Sequence, residues 1–448
     1  MDAKAQQLLK KYMKNKKFLS IEPSVASKTA IETMLMKTAI PRKNIHHAKN
    51  LHMAMEIIKE KKPNYIITNE RLEDGSYKEV LEEHLKQWPN RLESGFILLS
   101  ENDSLDAISK VAQSEIDSLV IIPFTVTSLQ SEFLKVVVPK TNPSDYEIAL
   151  ETIREHMRFD IDKAFTLAQK AVKLDPKPYE AYYLEGIIHL KSKALEQAKV
   201  SFEKSLKANS EYYNSLKELF AVYMTLKERH KAYQISKKLT EVFPVNPEMI
   251  PDLAWISVAC AEYDDILKYH TAFKTVDQPD NDLKNYIAAS LTIYGKKIMQ
   301  DKYEKNETID EEILNRAYKL MEEASVICED KPLVFASLIN TLRMTNNSAL
   351  LENIFTRARK RFPNNKNIKV LEILIDDDKL KPAESLKNAQ NAVKSGLDMP
   401  EIHEIILRRT VELGLPERII EESLDNACKS FPNLKSVFEE ILSSAKKD

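Results

Sequence analysis

The chain has 448 residues, 43% of them hydrophobic, and a nearly balanced charge of 66 basic against 68 acidic residues. Nucleic-acid binding favours a strongly basic surface, and this balance excludes such a surface over the whole chain. Only 6 residues are glycine, and they are too widely separated to form a Walker A or GxGxxG loop, in which closely spaced glycines let the backbone approach phosphate.

The first part of the chain alternates short apolar runs with helical patterns. Residues 1–15 are predicted to form a helical extension, and residues 16–138 an α/β domain. Strands are predicted at 18–21, 44–47, 64–68, 96–99 and 119–122, and helices at 25–38, 51–62, 77–87, 105–114 and 128–137. This order is typical of a parallel sheet covered by helices, and predicts a flavodoxin-like doubly wound fold. Residues 139–144, with two prolines, are predicted to be a linker.

From Asp145 onward pairs of helices replace the strands, and the scarcity of glycine predicts a mainly helical protein overall. Two sets of residues recur at an offset of 34 positions: the small residues Ala164, Ala198 and Ala232, and the helix-closing residues Pro176, Ser210 and Pro244. Small residues where helices cross, with a proline after the second helix, characterise helix-pair repeats. The pattern resembles the tetratricopeptide repeat (TPR). It implies an all-α TPR-like solenoid over 145–440, with about eight helix pairs.

The α/β domain resembles the receiver domain of bacterial response regulators over residues 16–138. The order of strands and helices fits, and residues 121–125, Ile-Ile-Pro-Phe-Thr, are similar to the Lys-Pro-Phe-Thr segment that follows the fifth strand in that family. Receivers bind Mg²⁺ through an acidic pair and accept a phosphoryl group on an aspartate. A serine or threonine and a lysine then contact the phosphate.

The receiver positions are altered in this chain. They hold, in chain order, Glu22 and Pro23 for the acidic pair, Asn69 for the acceptor, Ser100 for the hydroxyl, Leu119 for the aromatic switch and Ile122 for the lysine. An amide is a far weaker nucleophile than a carboxylate, proline offers no ligand oxygen, and isoleucine cannot balance the phosphate charge. The resemblance therefore implies a pseudo-receiver that is not phosphorylated, and we expect no catalytic residue, bound metal or cofactor.

Two alternatives for this domain stay open. In receivers the face formed by the fourth helix, fifth strand and fifth helix commonly pairs with a partner. Here that face would use residues 103–115 and 127–137, with Phe124 and Phe133 as apolar anchors for docking or for a homodimer. If the alignment is shifted, an acidic residue near the third strand would accept phosphate instead, and the candidates are Glu70, Glu73 and Asp74.

The helical repeats supply a candidate binding surface. In TPR proteins, positions 2, 5, 9, 12 and 13 of a repeat line the concave face. The second repeat places Glu180, Tyr183, Ile187, Leu190 and Lys191 there, and the third places Asn214, Lys217, Ala221, Met224 and Thr225. Such a mixture of polar and apolar residues suits an extended peptide or a partner helix.

Remaining features define the expected setting. The 3 cysteines have no metal-binding or catalytic spacing, which indicates a reducing compartment. No secretory signal or long apolar stretch is present in the sequence, so we expect a cytoplasmic protein without a membrane partner. The basic run of Arg357, Arg359 and Arg361 leaves RNA binding as an alternative, although a nucleic-acid partner is not favoured.

The sequence therefore predicts a non-enzymatic bacterial signalling adaptor. Its pseudo-receiver would dock or dimerise, and its TPR groove would bind a protein partner. The alternatives are a phosphorylation-responsive regulator with an atypical acceptor and an RNA-binding helical-repeat protein.

Overall fold

The computed structural model describes residues 3–38, 40–101, 116–276, 279–304, 311–327, 331–343 and 348–445. The protein is mostly helical and begins with a small parallel sheet. Its contacts divide the chain into two compact units, Met1–Pro244 and Val245–Asp448. The first unit therefore contains both the sheet and the first helix pairs. The predicted helix 105–114 lies outside the described residues.

The sheet has five parallel strands in the order β2-β1-β3-β6-β7. Its strands are β1 (Phe18–Ile21), β2 (Ile45–Ala48), β3 (Tyr65–Asn69), β6 (Gly95–Ser100) and β7 (Ser118–Ile121), while β4 (Arg71–Leu72) and β5 (Gly75–Ser76) form a separate antiparallel pair. In the register, Phe18 is opposite both Ile45 and Tyr65. Each observed main-sheet strand lies within one or two residues of its predicted position.

Helices cover both faces of this sheet, as the apolar strands require. The helices of this part are α1 (Ala3–Met13), α2 (Val25–Lys37), α3 (Leu51–Lys61), α4 (Tyr77–Gln87) and α5 (Val126–Lys140). Phe18 and Ile67 belong to a core with α2 and α5, whereas Leu19 and Ile66 belong to a core with α3 and α4. The predicted N-terminal extension is helical and docked, since Met13 is buried in the first of these cores.

The helix pairs of the first unit follow directly. They are α6 (Asp145–His156), α7 (Ile161–Ala171), α8 (Tyr179–Lys191), α9 (Leu195–Ala208), α10 (Tyr213–Thr225) and α11 (Arg229–Val242). The recurrent small residues Ala164, Ala198 and Ala232 are all buried. At the crossing of α8 and α9, a Cβ on Gly186 would lie 2.4 Å from a ring carbon of Phe202. Small side chains therefore permit the close helix contacts that the repeat pattern predicts.

Helices also make up the second unit. They are α12 (Ile250–Ala259), α13 (Asp265–Phe273), α14 (Asn281–Glu304), α15 (Glu311–Ile327), α16 (Pro332–Arg343), α17 (Ser348–Arg361), α18 (Lys366–Lys379), α19 (Pro382–Lys394), α20 (Pro400–Glu412), α21 (Glu417–Ser430) and α22 (Lys435–Ala445). Among the helices described, none combines the length and apolar character needed to cross a bilayer.

The connection after the sheet is shorter than the predicted linker 139–144. Helix α5 continues through Pro139 to Lys140, because a proline in the last turn interrupts few helical hydrogen bonds. Helix α6 then begins after Ser144, whose hydroxyl accepts a hydrogen bond from the Glu147 amide at 3.2 Å. The Glu147 carboxylate in turn accepts from the Ser144 amide at 2.7 Å, forming a capping box that fixes the start of the helix.

Candidate functional site

Three of the receiver-type positions lie at the carboxyl edge of the sheet. Glu22 directly follows β1, while Asn69 ends β3 and Ser100 ends β6. Glu22 is only 4% exposed. One of its carboxylate oxygens accepts a hydrogen bond from the Ser24 amide at 2.8 Å, whereas the other has no partner in the described part of the chain. The Ser100 hydroxyl donates to Glu70 at 3.2 Å.

The other receiver-type positions place no charge at this edge. Pro23 is exposed. Leu119 packs against the core beneath α3 and α4, and Ile122 packs against the opposite core together with Phe124. An apolar side chain therefore stands where the resemblance would require a lysine.

Two of the three alternative phosphate acceptors, Glu70 and Asp74, have other roles in this structure. Asp74 accepts hydrogen bonds from the amides of Leu51 at 2.6 Å and His52 at 3.0 Å. These bonds cap the start of α3 and lower the pKa of Asp74. Glu70 is the acceptor of the Ser100 hydroxyl. These contacts do not test whether either carboxylate is phosphorylated. Both carboxylates do accept hydrogen bonds within the structure.

Phe133 was expected to be an apolar anchor on a docking face, and this expectation is wrong. Its side chain is fully buried in the core between α5 and the sheet. The ring centroid lies 5.7 Å from that of Phe18 and 6.0 Å from that of Tyr65. Phe124 remains half-buried and packs at the margin of this core, so it alone of the two retains accessible surface.

A groove in the first unit lies between the opposite, amino-terminal edge of the sheet and the first helix pairs. We call it the junction groove; its volume is about 890 Å³. The α/β part contributes Leu85, Pro89, Asn90, Arg91, Ile116 and Asp117, and the helices contribute Glu151, Arg154, Glu155, Met157, Arg158, Glu180, Tyr183, Leu184, Ile187, Lys191, Tyr212 and Asn214. Both folds therefore line one cavity.

The junction groove has an apolar and aromatic floor. Met157 on the first pair and Tyr183 and Ile187 on α8 line it. The Tyr183 ring meets the Tyr212 ring edge to face, with centroids 5.5 Å apart, and burial raises the pKa of Tyr212. The Tyr212 hydroxyl accepts a hydrogen bond from the Asn214 amide group at 3.3 Å. These contacts hold the aromatic rings in place and provide apolar surface for a ligand.

Arg154 is the central charge of this floor. It pairs with Glu151 on its own helix and with Glu180 on α8, the latter at 3.1 Å. Burial alone would lower the pKa of Arg154, but the two carboxylates outweigh it and raise the pKa. Arg154 therefore stays charged and balances one of the two carboxylates. It links adjacent repeats more than it attracts a ligand.

A second cluster joins the α/β part to the first repeat. The Arg91 amide donates to the Glu151 carboxylate at 2.9 Å. The Arg91 and Lys140 side chains both contact Asp117, and Lys140 also donates to the carbonyl of Ser94 at 2.6 Å. Burial lowers the pKa of Lys140. Since Lys140 is the last residue of α5, this cluster fixes the chain just before the connection to α6.

The mouth of the groove carries charges that are less completely neutralised. Arg158 and Lys191 are exposed, and the Lys191 ammonium donates to the Met157 carbonyl at 3.5 Å. Glu155 is the exposed acidic residue of this part of the lining. Two cations therefore face one carboxylate at the rim.

The structure brings together half of the predicted groove residues. Glu180, Tyr183, Ile187, Lys191 and Asn214 line the junction groove. The other predicted positions lie on α8 and α10 but do not line it, and they are Leu190, Lys217, Ala221, Met224 and Thr225.

Sequence reasoning missed the α/β wall of the groove, formed by Asn90, Arg91 and Asp117. A usable signal was the shortness of the connection after α5, because a few residues cannot separate two folded parts widely.

The basic run considered for RNA binding is engaged in intramolecular contacts. Arg357 donates to the hydroxyl and to the carbonyl of Ser325, both at 2.8 Å. Arg359 pairs with Glu372 at 3.0 Å. These contacts hold α17 against its neighbours, and the Glu372 carboxylate balances the charge of Arg359. In the described residues, no group of three or more His, Cys, Asp or Glu side chains is placed to hold a metal ion.

Comparisons with known proteins find similarity only to solved structures. No protein-family model matches the chain, and no curated protein matches it. YrrB, described as a TPR protein with an unusual peptide-binding site, is 13% identical; the match covers 45% of this chain and 95% of YrrB, with a TM-score of 0.32. A tetratricopeptide repeat protein from Parabacteroides merdae is 15% identical over 58% of this chain and 97% of its own, with a TM-score of 0.30.

A third similar structure is PilF of Pseudomonas aeruginosa, which is 10% identical over 51% of this chain and 96% of its own, with a TM-score of 0.29. These scores are low, so the description of this chain as helical repeats rests on its own helix pairs and buried small residues.

Proposed function

We propose that the protein is a non-enzymatic scaffold whose junction groove binds an extended segment of a partner protein. The observation that carries this proposal is the groove itself: about 890 Å³ with an aromatic floor and a polar rim. Grooves of this volume accommodate ligands of several hundred daltons. Mixed lining of this kind suits a short peptide better than a small polar substrate.

The α/β part contributes in two ways under this proposal. It forms one wall of the groove through Asn90 and Arg91, and it holds that wall against Glu151. Its strand order, 2-1-3-4-5 along the chain, is that of flavodoxin-like folds, which supports the receiver-like assignment. The replacements at Asn69 and Ile122 support a pseudo-receiver that acts by contact. The setting that we propose for it is bacterial signalling in the cytoplasm.

Point variants of the full-length protein test the groove. The wild type and an Arg158→Glu/Lys191→Glu variant are used as baits in lysate of the native cells, and captured proteins are identified by mass spectrometry. The matched control is Lys173→Glu/Lys207→Glu, which reverses two exposed cations on α9 and after α7 that do not line the groove.

We expect a partner that is retained by the wild type and the control and is lost from the groove variant. Equal capture by all three baits would contradict the proposed site, because the charge reversals change only the rim of the groove.

The phosphorylation-responsive alternative has its own test. The protein is incubated with Mg²⁺ and a labelled small phosphodonor such as acetyl phosphate, and incorporated label is measured. We expect none, since the acceptor position holds an amide. Label that disappears in a Glu70→Gln, Glu73→Gln or Asp74→Asn variant would instead establish an atypical receiver. Docking or homodimerisation through the surface around Phe124 is measured separately by sedimentation of the wild type and Phe124→Asp.

A further inference from the structure

The second unit contains a groove of its own, which we call the distal groove. It lies between helices α16, α18 and α20 and has a volume of about 500 Å³. Its apolar lining includes Leu333, Val370, Leu374 and Ile405. Leu333 lines the groove with 67% of its surface exposed, so its side chain offers apolar surface to a ligand.

The arginines of the distal groove are already neutralised. Arg343 pairs with Asp378 through two hydrogen bonds, at 2.9 and 3.1 Å. Arg408 pairs at 2.5 Å with Asp377, whose side chain is buried. Asp377 also accepts from Arg409, which has a second carboxylate partner in Glu412 at 2.5 Å, so two arginines share two carboxylates. Two parallel bonds to one carboxylate, or a bond to a buried carboxylate, hold a guanidinium in place. Neither cation is therefore available to attract an anionic ligand strongly.

Two acidic residues of the distal groove have no such compensation. Glu401 and Glu404 are exposed, lie three residues apart near the start of α20, and both line the groove. In the part of the chain that the structure describes, neither carboxylate has an ion-pair or hydrogen-bond partner. Residues three apart on a helix share one face. The uncompensated charge of this groove is therefore negative, and a cation bound there would meet both carboxylates.

The distal groove also offers amides for main-chain recognition. Asn340 on α16 and Asn367 on α18 line it from neighbouring repeats. A side-chain amide can donate to a peptide carbonyl and accept from a peptide N–H. Amides on successive repeats can therefore hold an extended main chain along the groove, while the apolar lining receives a side chain.

We propose that the distal groove binds an extended segment of a partner protein that places an apolar side chain against Leu333 and Leu374 and a lysine or arginine against Glu401 and Glu404. This site is separate from the junction groove in its residues and in the compact unit that holds it. The protein is then a scaffold with two different peptide sites, and one partner or two can occupy them.

Peptide display on the full-length protein tests this inference. A library of short random peptides is selected on the wild type, and the selected peptides are synthesised with a fluorescent label. Their affinities are measured by fluorescence anisotropy for the wild type, Glu401→Lys/Glu404→Lys and Glu401→Gln/Glu404→Gln. The matched control is Glu421→Lys/Glu422→Lys, which reverses two exposed glutamates on α21 that do not line the groove.

We expect a class of selected peptides in which a lysine or arginine is close to an apolar residue. Their affinity should fall about tenfold or more in the Lys variant and less in the Gln variant, because reversing a charge adds repulsion to the loss of attraction. The control should bind as the wild type does. The Gln variant also keeps the test valid if lysines at the start of α20 destabilise that helix.

Three results would overturn the inference: no enrichment of basic residues, equal weakening in the groove variant and the control, or no peptide that distinguishes the wild type from the groove variants. The junction-groove variant Arg158→Glu/Lys191→Glu should leave the affinity of these basic peptides unchanged. Peptides that respond only to the junction-groove variant would support the proposed function while counting against the distal site.

Discussion

His84 makes the stability of the first unit depend on pH. Its side chain is fully buried, and neither ring nitrogen has a hydrogen-bond partner in the described chain. The ring packs against Phe96, with centroids 5.9 Å apart. Burial, with smaller effects of the Arg91 and Lys140 charges, lowers the pKa of His84 to about 3. The folded protein therefore holds this imidazole neutral.

The size of the effect follows from the two pKa values. A histidine in the unfolded chain has a pKa of about 6.5, so the unfolded state takes up a proton first as the pH falls. The contribution of His84 to the free energy of unfolding is therefore highest above pH 6.5, where the ring is neutral in both states. Between pH 6.5 and pH 3 it falls by up to about 1.4 kcal/mol per pH unit, because only the unfolded state binds the proton. Between pH 7.5 and 5, His84 alone should lower the free energy of unfolding by about 2 kcal/mol.

The measurement compares variants in a Trp255→Phe background. Of the 2 tryptophans in the chain, only Trp88 then remains, one turn from His84, so its fluorescence reports the first unit. Urea unfolding is followed at pH 7.5 and 5 for His84→Leu and for the control His52→Leu, in which an exposed histidine is removed.

Between pH 7.5 and pH 5, the free energy of unfolding should fall by about 2 kcal/mol less in His84→Leu than in its parent. In His52→Leu it should fall by as much as in the parent. An equal loss in all three proteins would refute the argument, because it would mean that His84 titrates in the folded state near its ordinary pKa.

Three other substitutions test the packing. Gly186→Ala should lower the free energy of unfolding by roughly 1–3 kcal/mol, because the new Cβ would press on the Phe202 ring. Alanine is otherwise the better helix former, so a variant as stable as the wild type in urea would contradict this contact. Asp377→Asn should lower the melting temperature, with a loss of about 3 kcal/mol, since the buried carboxylate accepts from Arg409 at 2.8 Å; unchanged melting by circular dichroism would contradict a structural role. Phe133→Ala should lower the free energy of unfolding in urea by about 3–5 kcal/mol, whereas the same substitution at an exposed anchor would lower it little.

Local patterns predicted the elements of the fold well. The apolar runs at β1, β3 and β6 are buried on both faces of the sheet, so composition and length alone located them. The buried small residues at the helix crossings were predictable because only their size permits the close approach. The end of helix α5 was predicted too early, ahead of Pro139. A proline indicates that a helix ends nearby, but it does not distinguish the last turn from the residue after it.

The sites were harder to predict because they depend on tertiary packing. Helix α5 has Leu129, Phe133, Val136 and Val137 on one buried stripe, and this spacing identifies Phe133 as a core residue rather than an anchor. The wall of the junction groove follows from no local pattern, because Arg91 and Asp117 are distant in sequence and meet only when β6 and β7 are paired. Repeat positions located the helix side of the groove alone.

The hydrogen bond between the Arg91 amide and Glu151 also bears on how the repeat array begins. The first member of a stack of repeats has no predecessor, so it requires a cap to cover its outer surface. Here the α/β part occupies that place. A cut between Lys140 and Asp145 would uncap the array and leave the buried Glu151 without its main-chain donor, whereas a cut after Pro244 would follow the division between the two compact units. Fragments for separate expression are therefore better divided after Pro244.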